Sequence, residues 1–531
     1  MNPMPRESGK RFSFVAATAL ACAAWSFVSN AAAAPQSPHV RGVPARSDTS
    51  TYPATSGPDA APLSRCAELA PLNGPSGKAR SVTEFGAVPD DDGDDTAAIQ
   101  RALDALQPGE WLVFPPGRYV HSTRLRVQVR GTKLWGRGAQ LHATNPADMA
   151  VMLMADDAAI YGFTLTAFTE KRGNKPYEAR IAIHPRSSDG PMLRGNEVRG
   201  NRIVADAASD PRAANSATTT GVFVYRARDF LVAENYVERS LADGIHITAG
   251  SAFGRVVRNT VRETGDDMIA MVSYLGRRDE SAAQIAADLS ARTDRVVHDI
   301  VVEGNDLAGQ YWGRGISLVG ARGITVRANR ISDTTTAAAI YVAREANYRT
   351  AGVQDALIED NEIRRVQTTS PRYVAAAVSH GLHKTGHPGI LVYSQIGEDE
   401  AREGALFEQL RIRDVRIQNN RIEDAANDGI RLSSRRGARA APRTGGEPDA
   451  AEPISGVSIA GNRIERVRGK ALDVEGIDDT AALSCRGNTA NRDNADVAAC
   501  SRVRSFSSER VVRGADLACL GARRAAPPVA R

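Results

Sequence analysis

The chain has 531 residues, with 46 glycines, only 5% aromatics, and 67 Lys and Arg against 62 Asp and Glu for a formal charge of +5. Many short apolar stretches at near-regular spacing point to one long repetitive architecture instead of several compact domains. So small a charge bias, with no Lys/Arg run interleaved with aromatics, implies no nucleic-acid partner; an acidic polymer is allowed by it and not demanded.

At the N-terminus, Arg6, Lys10 and Arg11 precede an apolar run from Phe12 to about Val28, and SNAAAAPQ offers small residues for cleavage near Ala33 or Ala34. Residues 1–34 read as a Sec-type signal peptide, which makes the mature chain secreted or periplasmic, without a membrane segment. An uncleaved anchor competes with this reading, but the run falls short of the ~20 residues a span needs. A lipoprotein at Cys22 is disfavoured because ALAC lacks an aliphatic residue three before the cysteine. Residues 35–62, rich in Pro, Ser, Thr and Ala without apolar periodicity, read as a disordered linker. The mature chain keeps Cys66, Cys485, Cys500 and Cys519. An even count in an exported chain suggests two disulfides, of three possible connectivities, clamping the ends of the repeats.

In SVTEFGAVPDDDGDDTAAIQRALDALQPGE, Asp94 or Asp95 can cap a helix whose Ala98, Ile99, Ala102 and Leu103 form an apolar stripe ending before QPGE. WLVFPPGRYV and TKLWGRGAQLHA follow as strands punctuated by Gly and Pro. With its FGA, DDTAAIQRA and FPPGRY segments, this stretch of some 60 residues resembles the opening of the pectate-lyase-like superfamily. The resemblance implies a right-handed parallel β-helix and leaves the reaction open, because one fold hosts many chemistries.

From about Pro191 an apolar alternation, then Asn, then Ile or Val recurs in VRGNRIVAD, LVAENYVER, VVRNTVRET, IVVEGNDLA, ITVRANRIS, ALIEDNEIR, VRIQNNRIE and VSIAGNRIE. Each repeat reads as one strand closed by a turn. Asn suits that turn by bonding local backbone and tolerating a left-handed conformation, and stacked turns can align such residues into a ladder. A second strand follows each turn, as in DGIHITA, DMIAMVS and RGISLVG. The fold class is therefore all-β, a right-handed parallel β-helix solenoid over residues 63–475 with an N-terminal capping helix and loop insertions. Insertions are expected at 276–294 (helical), Thr166 to Ser216, Thr368 to Pro388 and Ser433 to Pro453, the last one mobile. Residues 476–531 form a cysteine-bearing cap or tail.

Aligning the second strands puts Thr220, Asp243, Asp267, Arg314, Ala338, Pro388, Asp428 and Lys470 in one column, with Asp266 beside Asp267. Coils sit about 4.8 Å apart, so Asp243, Asp266, Asp267 and Arg314 converge. Two adjacent acids entering the apolar MIAM strand are costly unless they meet solvent or a ligand. Asp-Gly also marks turns, so Asp243 and more so Asp428 can be read as strand initiators, and Arg314 as a structural partner of Asp267. His246 faces outward beside the column as a candidate acid/base. Tyr341, Tyr393 and Trp312 are candidate stacking faces for sugar rings, and Arg344 a nearby cation for substrate. His380, His383, Lys384 and His387 read as a groove wall, with zinc as the other reading.

LADG, GDDMIAM and GRGISLVG resemble in order the site motifs of the polygalacturonase family of glycoside hydrolases, with Ala242 and Arg314 departing from that pattern and no RIK segment present. By that resemblance Asp266 is the general acid, Asp243 with Asp267 activates water, and no cofactor is required. The expected function is an inverting hydrolase of an acidic or complex polysaccharide, with acid and base about 6.5–9.5 Å apart. One alternative is a lyase or C5-epimerase on the same fold, using Arg314 or His246, with Asp243, Asp266 and Asp267 holding Ca²⁺ in the lyase. A non-catalytic, tailspike-like glycan binder is another, and it would tolerate loss of Asp266 and Asp267.

Overall fold

In the computed structural model the described residues are 69–173, 175–205, 217–375, 382–436, 453–475 and 484–490. The signal-peptide and linker readings, Cys22, Cys66, Cys500, Cys519, His380, most of the 433–453 insertion and most of the tail lie outside them. Among the described residues no helix is long and apolar enough to cross a membrane.

The chain winds as a right-handed parallel β-helix with three long sheets of 13, 12 and 11 strands. Successive coils pair in parallel, and the interior is a continuous file of Val, Ile, Leu and Ala running from Val82 to Cys485. The helix Thr96–Ala105 closes the N-terminal end, burying Ala98, Ile99, Ala102 and Leu103. Its first turn is held by Asp94, whose Oδ1 accepts from Thr96 N–H at 2.9 Å. Asp95 instead turns inward and accepts from Val88 and Val120 N–H at 2.8 and 3.1 Å, tying the helix to the first coil.

Each coil carries three strands where the sequence shows two. LVAENYVER is one apolar alternation in sequence, yet it folds as Leu231–Ala233 and Tyr236–Glu238, bent at Asn235 into two different sheets. Three-residue strands are too short for alternation to reveal a corner between them.

At that corner the asparagines form the expected ladder, Asn201, Asn235, Asn259, Asn305, Asn329, Asn361, Asn420, Asn462 and Asn488. From Asn235 onward each Oδ1 accepts from the backbone N–H and Nδ2–H of the asparagine one coil before, as Asn305 does from Asn259 at 2.9 and 3.0 Å, while the Oδ1 of Asn201 accepts from Phe163 N–H at 3.1 Å. The left-handed residue is the one before each asparagine. Gly200, Glu234, Arg258, Gly304, Ala328, Asp360, Asn419, Gly461 and Gly487 all have φ between 51° and 68°. The turn is thus made by its neighbour, and the asparagine satisfies the buried backbone groups that the turn leaves.

Asn488 and the strands Ser484–Arg486 and Thr489–Ala490 add a further coil beyond residue 475. The stretch 166–216 is not one insertion, because it contains the strands Ile181–Ile183, Glu197–Arg199 and Arg202–Ala205 of a complete coil. The helical excursion at 276–294 is present as Ala282–Ala287 and Leu289–Thr293. A second helical insertion, Glu398–Arg402 and Gly404–Leu410, packs against it through a separate apolar cluster that includes Leu275, Ile285, Ile396, Leu406 and Leu410.

Candidate active site

The site lies on the 11-stranded sheet, near its middle, where Ile245–Thr248, Ile269–Val272 and Ile316–Val319 are consecutive strands. Ile245, Ile269, Ile316 and Ile340 pair in register, so the residues two before them, Asp243, Asp267, Arg314 and Ala338, stack in one column. The column is also bonded coil to coil. Asp267 N–H donates to Asp243 Oδ1 at 3.0 Å and Arg314 N–H to Asp267 Oδ1 at 2.7 Å. Lower in the same column Lys470 N–H donates to Asp428 Oδ1 at 2.7 Å. An aspartate here therefore has a structural task, accepting the amide of the next coil. Gly244 follows Asp243 with no left-handed turn; a Cβ there would lie 2.6 Å from the Met268 carbonyl oxygen.

Function has to be sought in what the second oxygens meet. Asp243 Oδ2 accepts from His246 Nδ1 at 2.6 Å, which fixes the imidazole tautomer, and the ring stacks on Phe223 at 5.2 Å. Asp267 Oδ2 accepts from Ser317 Oγ at 2.5 Å. Asp266 Oδ2 pairs with Arg172, which lies over the Trp312 ring at 4.9 Å. One oxygen from each of the three aspartates falls within 4.8 Å of the other two. Burial, together with the charges of Asp266 and Asp243, pushes the Asp267 carboxyl up to about 8, against the lowering effects of Arg314 and Ser317.

Arg314 approaches Asp267 Oδ1 at 3.7 Å, donates to Glu345 Oε1 at 2.8 Å, and lies 4.3 Å from the Tyr341 ring centroid. Tyr341 in turn donates to Glu345 at 3.1 Å and stacks with His387 and Tyr393. Tyr341 and Trp312 are therefore shelves for guanidinium groups. Tyr341 is 3% exposed and offers no open face to a sugar. Tyr393 is half-buried at the edge of this stack, His387 packs inside it, and His383 and Lys384 are exposed.

Arg344 makes its contacts away from the acids. It is fully buried, paired with Glu400 and donating to Gln395 O, and so anchors the second helical insertion. The carboxylate column was readable because it follows the coil period. Arg172, Glu345 and Ser317 were not read, although Ser317 had a usable signal, sharing an outward row with His246. Arg172 meets Asp266 across 94 residues of chain, for which no periodic signal exists.

Residues 79–171 match the family described as rhamnogalacturonase A/epimerase, pectate lyase-like. No curated protein matches the sequence significantly. Among solved structures the chain is similar to the catalytic unit of a thermostable GH87 α-1,3-glucanase from Streptomyces thermodiastaticus strain HF3-3, with a TM-score of 0.50 and 18% identity over 79% of this chain and 64% of that one. It is similar also to the A-module of the mannuronan C-5 epimerase AlgE6 from Azotobacter vinelandii, with a TM-score of 0.50 and 14% identity over 77% of this chain and 99% of that one. At these identities the likeness is one of fold, and the chain spans less than two thirds of the glucanase unit's length.

Proposed function

We propose that this chain is an exported polysaccharide-degrading enzyme, a hydrolase that uses acid–base chemistry at Asp243, Asp266 and Asp267. One observation carries the reading: three carboxylates meet within 4.8 Å on the 11-stranded sheet of a solenoid, and burial and its neighbours push the carboxyl of the most buried one up to about 8. Two solenoids of similar fold are named for reactions on polysaccharides, a glucanase and a mannuronan epimerase, and the N-terminal family match is named for a rhamnogalacturonase and an epimerase, which supports the substrate class. Export is supported by the basic and apolar N-terminal residues and by the even number of cysteines that follow them, Cys66, Cys485, Cys500 and Cys519.

In this reading Asp267, in place of the Asp266 that the polygalacturonase resemblance implied, delivers the proton to the leaving glycosidic oxygen, because burial and the neighbouring carboxylates hold its own carboxyl well above the usual range. Asp243, oriented by His246 and by the Asp267 amide, activates water, and Asp266 supplies negative charge to the developing oxocarbenium. The nearest oxygens are tighter than the about 6.5–9.5 Å spacing of most inverting pairs, so inversion requires a water on an oxygen turned away from the cluster. Retention would assign Asp243 or Asp266 as nucleophile. A second reading, proton abstraction from C5 by a lyase or epimerase, rests on the Asp243–His246 pair at 2.6 Å, the arrangement of an oriented base.

The test is to incubate mature protein with neutral and uronic-acid polysaccharides, with and without EDTA, following reducing ends, ultraviolet absorbance and the anomeric signal of the first product. Reducing ends without absorbance support hydrolysis, and their loss by orders of magnitude in Asp267→Asn supports the acid. Absorbance, or exchange of the C5 hydrogen with solvent, supports the second reading. Full activity in Asp267→Asn refutes the acid role, and full activity in His246→Ala refutes the second reading.

A further inference from the structure

We propose that the carboxylate cluster is closed to a divalent cation, and that Arg172 and Arg314, each laid on an aromatic ring, supply the positive charge in its place, with Arg172 the positioning residue for Asp266. This rests on the cluster being the reaction centre.

The donor set invites the opposite conclusion, because three carboxylates within 4.8 Å are the hard oxygen ligands that Ca²⁺ prefers. An inventory of their oxygens argues against it. Both oxygens of Asp243 accept, from Asp267 N–H and His246. Both oxygens of Asp267 are engaged, one with Arg314 N–H and one with Ser317 Oγ. Asp266 Oδ2 is taken by Arg172. Ca²⁺ seeks about six to eight oxygens, so it would have to strip most of these bonds. It would also enter beside two guanidinium groups that already balance the charge, at a Coulombic cost.

Both arginines are held in place before any ligand arrives. Arg314 lies on Tyr341 and is braced by Glu345. Arg172 lies on Trp312, which belongs to the same coil as Arg314, and Tyr341 belongs to the coil after it, so two successive coils supply the shelves. The segment bearing Arg172 is fastened to the solenoid where Thr219 Oγ1 donates to Glu178 O at 2.8 Å, one residue from the column position Thr220. Gly313 completes the fit: a Cβ there would lie 2.5 Å from both Asp266 Oδ1 and Asp267 N, so the coil carrying Trp312 and Arg314 presses directly on the acids. A cation fixed in this way needs no reorganisation as charge develops.

The experiment compares thermal unfolding of the full mature protein and its R172Q variant with CaCl₂ or EDTA, alongside terbium luminescence. Wild type is expected to show no Ca²⁺-dependent shift in Tm and no terbium signal. R172Q, in which Asp266 loses its counter-charge, is expected to gain both. Its kcat on whichever polysaccharide of the panel is turned over is expected to fall about tenfold or more with little change in KM, and R172K to recover part of that loss. A Ca²⁺-dependent rise in wild-type Tm, a wild-type terbium signal, or equal behaviour of the two proteins overturns the inference. The wild-type arm needs neither a folded variant nor a substrate, so it fails or stands independently of the proposed reaction. Should R172Q not fold, W312L withdraws the shelf and leaves the charge, and is expected to lower kcat in the same direction; an unchanged kcat in W312L would overturn the positioning role.

Discussion

At the scale of single residues, Asp243, Asp267 and Asp428 occupy equivalent positions and do the same structural job, yet only two of them meet other acids. Asp428 faces Arg431, which bonds its Oδ2 and is shared with Asp473. Asp428→Asn is therefore expected to leave kcat unchanged, whereas Asp267→Asn, which keeps an oxygen for Arg314 N–H, is expected to lower kcat by at least about 100-fold. Far-UV circular dichroism and steady-state rates on both variants check the contrast. Asp267 also links stability to pH. Its carboxyl titrates near 3.8 ordinarily and near about 8 in the fold, so between these values the native state binds more protons than the unfolded chain, and stability falls as pH rises. The contribution is whole below the lower value and lost on passing the upper one. Wild-type Tm is expected to drop from pH 5 to pH 9 by more than that of Asp267→Asn; parallel curves would show that the proton resides elsewhere in the cluster.

At the scale of the element, the coil was legible wherever a residue recurs at its period. The asparagines and the column following the second strands could be aligned by counting, and both alignments hold. The third strand was not legible, because three-residue strands such as Tyr236–Glu238 carry a single buried side chain, Val237, and no alternation. The left-handed corner escaped as well, since it is filled by Gly, Glu, Arg, Ala, Asp and Asn alike. The asparagine beside it fixes the corner by pairing buried backbone groups, and this sets the cost of losing it. Asn305→Ala leaves the Asn259 amide and side chain and the Val256 carbonyl without their partner. A destabilisation of about 3 kcal/mol is expected from such buried, unsatisfied groups. Asn488, in the last described coil, makes the same three bonds, accepting from Asn462 N–H and Nδ2 and donating to Ile459 O, but it is only half-buried, so water can take its place. Asn488→Ala is expected to lower Tm much less, because the groups it leaves are open to water. Equal shifts would mean that burial does not set that cost.

At the scale of the whole molecule, what sequence reading could not supply is contact between distant insertions and the solenoid. Arg172 joins Asp266 across 94 residues, and Arg344 joins Glu400 across 56. The periodic logic that found the acids placed Arg344 beside them, one strand away, but its strand position turns the side chain under the helical insertion. There it is fully buried, while Glu400 is 1% exposed and also holds Arg349 at 2.7 Å. A buried pair of this kind contributes little beyond a well-packed apolar pair, yet breaking it strands a charge. Glu400→Ala is accordingly expected to destabilise the protein by about 3–5 kcal/mol, and the double variant Glu400→Leu with Arg344→Met to recover most of that loss. Since neither residue touches the carboxylate cluster, kcat measured well below Tm is expected to stay at the wild-type value in both. Loss of kcat in the double variant with Tm restored would return Arg344 to the substrate, and would mean that the helical insertion moves to expose it during turnover.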